Sequence, residues 1–311
     1  MAYRFTKHEA LPNAIRRVFA EEIDWAVGQL GNSKNRTEAV HEARKSIKKI
    51  RALLYLVRTP LRAKYRPADR YFRNAGRQLS PIRDNAVILQ LFDALAAKHD
   101  VIDVGALGDI RGNLERCRRE SPREKQASAN VARLLAGARS KPSLWRLEGL
   151  GFDTLSLQIV ALYKRARKDF KRAHHHAECA DAFHNLRKTV KQHWYHLKLF
   201  EEFWDREMKQ RAGDARDLES CLGDEHNISI LRERMVADVE TTCDRRHAQH
   251  FIALLDDRAR ALRQRALEIG RPLYATKPRE FGHGLNKLWT EPQPVRKRPA
   301  VLTLNASSAV A

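Results

Sequence analysis

Residues that interrupt helices are scarce in this chain, with 14 glycines and 11 prolines among 311 residues. That is well below the roughly 12% that glycine and proline together average. It excludes a collagen-like or loop-dominated build and favours long helices. Cysteine is scarcer still. Cys117, Cys179, Cys221 and Cys243 form neither a C-x-x-C pair nor a zinc-ligand spacing, which excludes a disulfide framework and predicts thiols in a reducing compartment. The opening stretch MAYRFTKHEALPNAIRR lacks the apolar core of a signal peptide. No run approaches the roughly 18 apolar residues that a membrane span requires, so no membrane insertion and a cytoplasmic location are expected. Acids are also in deficit, 38 against 59 Lys and Arg.

That deficit leaves a formal charge of +21 and an isoelectric point near 10.2. Such a surplus repels itself in the compact state and is offset most readily by a polyanion. Nucleic acid, polyphosphate and an anionic membrane surface all qualify on charge alone.

Apolar residues recur at helical spacing. Ile15, Val18, Phe19, Ile23, Ala26 and Leu30 mark a first helix, ended by Gly31-Asn32-Ser33. Further helices are predicted over about 38–58, 67–98 (with a break near Ser80-Pro81), 107–120 and 124–139. Lys141-Pro142 and Gly149-Leu150-Gly151 then punctuate the chain. Helices follow over about 155–172, 180–203, 205–238 (with a break near Gly223) and 244–269, the last closed by Gly270-Arg271-Pro272. No strand pattern is present, so the fold class is all-α. Residues 1–148 and 149–272 read as two halves, and 273–311 as a mobile, basic, Pro-containing tail.

The halves repeat each other. VHEARKSIKKIRALLYLV (Val40 to Val57) aligns with FHNLRKTVKQHWYHLKLF (Phe183 to Phe200) at an offset of 143 residues, 184 less 41. His41, Arg44, Lys45 and Lys48 fall on His184, Arg187, Lys188 and Lys191. Without a gap, the offset also pairs Arg73 with Arg216, Leu79 with Leu222, Ile88 with Leu231, and Arg83-Asp84 with His226-Asn227. At about 100° per residue, the basic residues of each copy share one helix face, which Ala52 and Tyr55 continue in the first copy and Tyr195 and Lys198 in the second. Ile47, Ile50 and Leu54 share the opposite face, as do Leu186, Val190 and Leu197. His193 lies among that apolar set and reads as a hydrogen-bonded core histidine. An ordinary solvated face mixes signs, because i,i+4 acid–base pairs stabilise and like charges repel. A cationic stripe repeated in both halves points instead to an anion.

The H-x-x-R-K-x-x-K helix, its second copy, and the L-x-x-x-R-D segment from Leu79 to Asp84 together resemble the CHAD family (conserved histidine α-helical domain) over about residues 4 to 270. The resemblance implies two pseudo-symmetric four-helix bundles from an internal duplication, facing across a basic cavity. It also implies binding of inorganic polyphosphate and, in some bacterial members, attachment to polyphosphate granules. The motif positions here are His41, Arg44, Lys45 and Lys48, and His184, Arg187, Lys188 and Lys191. Arg73, Arg77, Arg83, Arg216 and His226 come from the second motif, while Arg51 and Lys198 prolong the charge of the two helices. Two departures stand out: His226-Asn227 replaces a basic residue followed by Asp, and Trp194 falls opposite Arg51.

A chain of phosphates suits such a stripe, with Arg as a bidentate fork, Lys as a point charge and His as a donor that strengthens at low pH. Single- or double-stranded nucleic acid is the second reading, set back by the few aromatics on the stripe. A metal enzyme is the third. His41 and His184 stand among Arg and Lys that repel a cation, and His174-His175-His176 reads as a loop. Asp84 beside Arg83 reads as a salt-bridge partner, and no P-loop, nucleophile elbow or H-E-x-x-H motif occurs. No catalysis, no metal and no cofactor are expected.

Overall fold

The computed structural model describes residues 3–32, 35–98, 107–118, 122–139, 147–238 and 245–290. Among these, regular structure is entirely helical. The first half holds α1 (Leu11–Asn32), α2 (Arg36–Leu56), α3 (Arg58–Leu61), α4 (Tyr65–Gln78), α5 (Ser80–Ala96), α6 (Gly108–Arg118) and α7 (Pro122–Arg139). The second holds α8 (Phe152–His175), α9 (Ala180–Leu199), α10 (Arg206–Asp238), α11 (Arg245–Leu273) and α12 (Pro278–Thr290). Short 3-10 turns at Arg62–Lys64 and Glu201–Phe203 follow α3 and α9.

Helices α1, α2, α4 and α7 pack as one group and α8 to α11 as another, with α2 laid against α9. The two stripe-bearing helices therefore face each other. The start of α2 is fixed by Asn35, whose side chain accepts the Glu38 N–H at 3.2 Å, a cap worth about 1 kcal/mol. The main core runs through both groups, with Phe19, Ile47 and Phe72 from the first and Phe152, Leu186 and Phe200 from the second. A separate core joins α5 and α6 to α10 and α11 around Ile88, Phe92, Leu231 and Phe251. Thus α5 leaves its own group and roofs the space beside α2 and α9.

The structure departs from the sequence expectation at three places. The α4/α5 break occurs as expected, because Pro81 sits in the first turn of α5 and lacks the N–H that a continuous helix needs. No break occurs near Gly223: α10 runs unbroken through it, since glycine weakens a helix by only about 1 kcal/mol and buried Leu218, Leu222 and Ile228 hold the segment. Gly270 does not end α11 either. It lies where α11 touches α8, and a Cβ there would run into the Phe170 ring. Finally, residues 278–290 are helical rather than tail. Phe281 stacks on Tyr163 at 4.2 Å and Trp289 on Phe152 at 4.2 Å, so α12 closes over α8. Residues 291–311, which carry the Pro-rich basic stretch, lie outside the described residues.

Candidate functional site

Alternation of exposed and buried faces puts Ala43, Ile47 and Ile50 of α2 into the core and leaves Arg44, Lys45 and Lys48 on the side turned to α9. On α9 the same logic buries Leu186 and Val190 and leaves Arg187 and Lys191 free to face back. Between α2, α5, α9 and α10 the two faces enclose a cavity of about 370 Å³. Five basic side chains line it (Arg44, Lys45, Lys48, Arg187 and Lys191), with three carboxylates (Asp84, Glu219 and Asp224) and the rings of His41 and His226.

The cations are not equivalent. Arg44 is braced: its Nη1 donates to Leu79 O at 3.3 Å, Ser80 O at 2.8 Å and Asp84 Oδ1 at 3.1 Å. Lys191 donates to Glu219 Oε1 at 2.5 Å, and Lys45 to Glu42 Oε1 at 3.1 Å. Arg187 has no such brace: its Nε is buried without a hydrogen-bond partner among the described residues. In the first half Asp84 holds Arg44. The 143-residue offset puts Asn227 in the matching place, and an amide supplies no compensating charge.

Lys48 also lacks a carboxylate partner within ion-pair distance among the described residues. Burial, then the charges of Lys191, Arg187 and Arg44, push its ammonium down to about 7. Burial lowers Lys191 as well, opposed by Glu219. His184 and His226 lie ring against ring, 4.5 Å between centroids. Burial, then Arg187 and His184, pushes His226 down to about 4. His184 is lowered by burial, Lys188 and Arg187, and its Nδ1 is buried without a hydrogen-bond partner among the described residues. This cluster stores unsatisfied donors and mutual repulsion that an anion would relieve.

Other residues expected at the site lie elsewhere. Arg51 is tied to Asp69 on α4, Nε to Oδ1 at 2.8 Å, and Trp194 lines the cavity on the α9 side. Arg73 and Arg77 are exposed on α4, Lys188 is exposed on α9, and Arg216 pairs with its neighbour Asp217 at 3.2 Å. The Arg83 side chain lies outside the described residues. Lys198 sits 5.7 Å from the Trp194 ring and lines a second cavity. Ala52 and Tyr195 do not continue the open stripe. Both are buried, and Ala52 O meets His196 Nε2 at 2.8 Å, because α2 and α9 press together there and floor the cavity. His193 is a core residue: its Nδ1 meets the Tyr274 hydroxyl at 3.5 Å, and burial pushes its pKa down to about 3. Sequence reasoning missed Trp194, Glu219 and Asp224, since nothing in a one-dimensional pattern brings position 219 to position 191. It also missed that Glu38, His41 and Glu42 bring ligand atoms within 4.8 Å of one another, although Lys45 and the Trp25 indole already engage Glu42.

The family model of the CHAD domain matches residues 9–236. The chain belongs to the CHAD domain family. That family is associated in general with polyphosphate binding. The CHAD fold also appears in a crystal structure of the CHAD domain from the plant Ricinus communis, at a TM-score of 0.61 and 17% identity, covering 89% of this chain and 95% of that one. No curated protein matches the chain. As for membranes, no helix among the described residues is long and apolar enough to cross one.

Proposed function

We propose that this CHAD protein binds inorganic polyphosphate in the cavity between α2 and α9, both halves supplying cations, and that it binds without catalysing a reaction. The observation that carries the reading is the pair of cavity cations, Lys48 and Arg187, that make no direct ion pair among the described residues. A buried cation held among other cations is costly, and a phosphate chain entering between the helices removes that cost at both. Attachment to polyphosphate granules would follow from the same binding. Single-stranded nucleic acid is the second reading, favoured by one feature: Trp25 and Trp194 line a second cavity that shares Lys45 with the first, and single-strand binders combine cations with aromatic platforms.

The test is a pair of substitutions, Lys48→Gln and Arg187→Gln. Neither strips a carboxylate of its partner, so the helical circular dichroism and Tm should hold or rise. Each loses a charge-assisted hydrogen bond to phosphate, and long-chain polyphosphate should bind roughly tenfold more weakly or worse. Normal binding by either variant would contradict a site shared by both helices.

A further inference from the structure

The second cavity, about 370 Å³, opens on the α1 side of the α2–α9 contact and adjoins the first through Lys45, Trp194 and Tyr195. Its volume falls within the roughly 300–1,000 Å³ usual for small-molecule sites. Its charge character differs from its neighbour's, because four cations face four carboxylates. It therefore offers a bare phosphate chain no net attraction. What it offers is an aromatic plate. Trp25, on α1, is one of the few large apolar side chains left in solvent, at 42% exposure. The residue is nonetheless pinned, since its indole N–H donates to Glu42, the carboxylate that also holds Lys45. Among the described residues no other ring or cation covers the Trp25 ring.

We infer that this CHAD protein also binds nucleoside polyphosphates, the base stacked on Trp25 in the second cavity and the phosphates in the first, with Lys45 at the junction. This rests on the first cavity being a phosphate site. A flat base removes the exposed indole face from water, and every base presents a π-face to it. Carboxylates of Glu21 and Glu201 face the same space and accept N–H groups, so a base bearing an exocyclic amine fits the wall. Lys45 is 42% exposed and lines both cavities, where it meets the phosphate next to the sugar.

Isothermal titration of the full chain at about 0.15 M salt, with tripolyphosphate and with ATP, tests the inference. ATP should bind roughly 5-fold more tightly or better than tripolyphosphate, the gain expected of one base–aromatic stack. Trp25→Ala should bring ATP to the tripolyphosphate level without moving tripolyphosphate, and Trp25→Phe should keep the preference. Equal affinities for the unaltered chain would overturn the base site alone. A fall of both ligands in step on Trp25→Ala would also overturn it, because Trp25 would then act only by holding Glu42 and Lys45. No binding of tripolyphosphate would overturn the phosphate cavity and the base site with it.

Discussion

Arg44 and Arg187 show how one residue decides what its partner can do. The 143-residue offset pairs them, and both reach the same cavity, yet Asp84 forms a direct ion pair with one, while the other makes no ion pair among the described residues, has Asn227 at the matching position and feels only the charge of Asp224. In the sequence Asn227 reads as a lost motif position; in three dimensions it leaves a guanidinium open to an anion. Supplying the carboxylate should reverse this. Asn227→Asp should raise Tm, as a buried cation gains a partner, and weaken polyphosphate binding about tenfold or more as the new pair competes with the ligand. Unchanged affinity would show that Arg187 does not hold phosphate. Proton linkage belongs to the same scale. Lys48, at about 7 in the free protein, faces Arg44 on its own helix, Arg187 and Lys191 on α9, and Glu219 on α10. A bound phosphate chain favours the ammonium and raises that value, so binding takes up protons and tightens as pH falls from about 9 to 7. His226, at about 4 when free, and His184 extend the effect to lower pH by the same sign. Titration heats in buffers of different ionisation enthalpy at pH 8 should reveal the uptake, and Lys48→Arg, permanently charged, should largely remove it. Buffer-independent heats for the unaltered chain would rule the linkage out. The sequence points to histidines for this role; a lysine buried among cations is visible only once the helices are packed.

At the level of elements, what repeats within a helix is legible in the sequence and what depends on a neighbour is not. The α2 and α9 stripes follow from the 3.6-residue period, because Ile47 and Ile50 must enter a core and Arg44 and Lys48 then point away from it. The α4/α5 break follows from Pro81. The closure of the stripe at Ala52 and Tyr195 does not follow, since an alanine suits either an open or a packed face and only the approach of α9 decides. Gly270 misleads for the same reason: its lack of a side chain serves the Phe170 ring across the interface, not a helix end. Helix α12 left a faint signal, Phe281, Leu285 and Trp289 at four-residue steps, masked by the prolines that follow it. If α12 is part of the bundle, Phe281→Ala should lower the free energy of unfolding by about 3–5 kcal/mol, because Phe281 is 5% exposed and stacked on Tyr163. Denaturant unfolding measures this, and a midpoint shift near zero would mean that α12 contributes no packing.

For the molecule as a whole, the +21 surplus exceeds what one cavity uses. Arg66, Arg70, Arg73 and Arg77 form an exposed row on one face of α4, with no acid partner among the described residues. Such surfaces draw any polyanion, DNA included, through counterion release, and the attraction fades steeply with salt. The cavity makes a narrower demand. It is walled by helices on both sides, and Lys48 and Arg187 sit deep within it, which on the proposed reading favours a thin chain of phosphates over a strand that carries bases. Discrimination should therefore emerge as salt suppresses the surface contribution. The most direct test is competition on the full chain between long-chain polyphosphate and single-stranded DNA, matched in total charge, at roughly 0.15 M salt. Polyphosphate should displace the DNA at well below equal charge, and Arg187→Gln should erase that advantage while leaving the weak DNA binding in place. Equal competition by DNA, or an advantage that survives Arg187→Gln, would contradict a phosphate-chain cavity between α2 and α9.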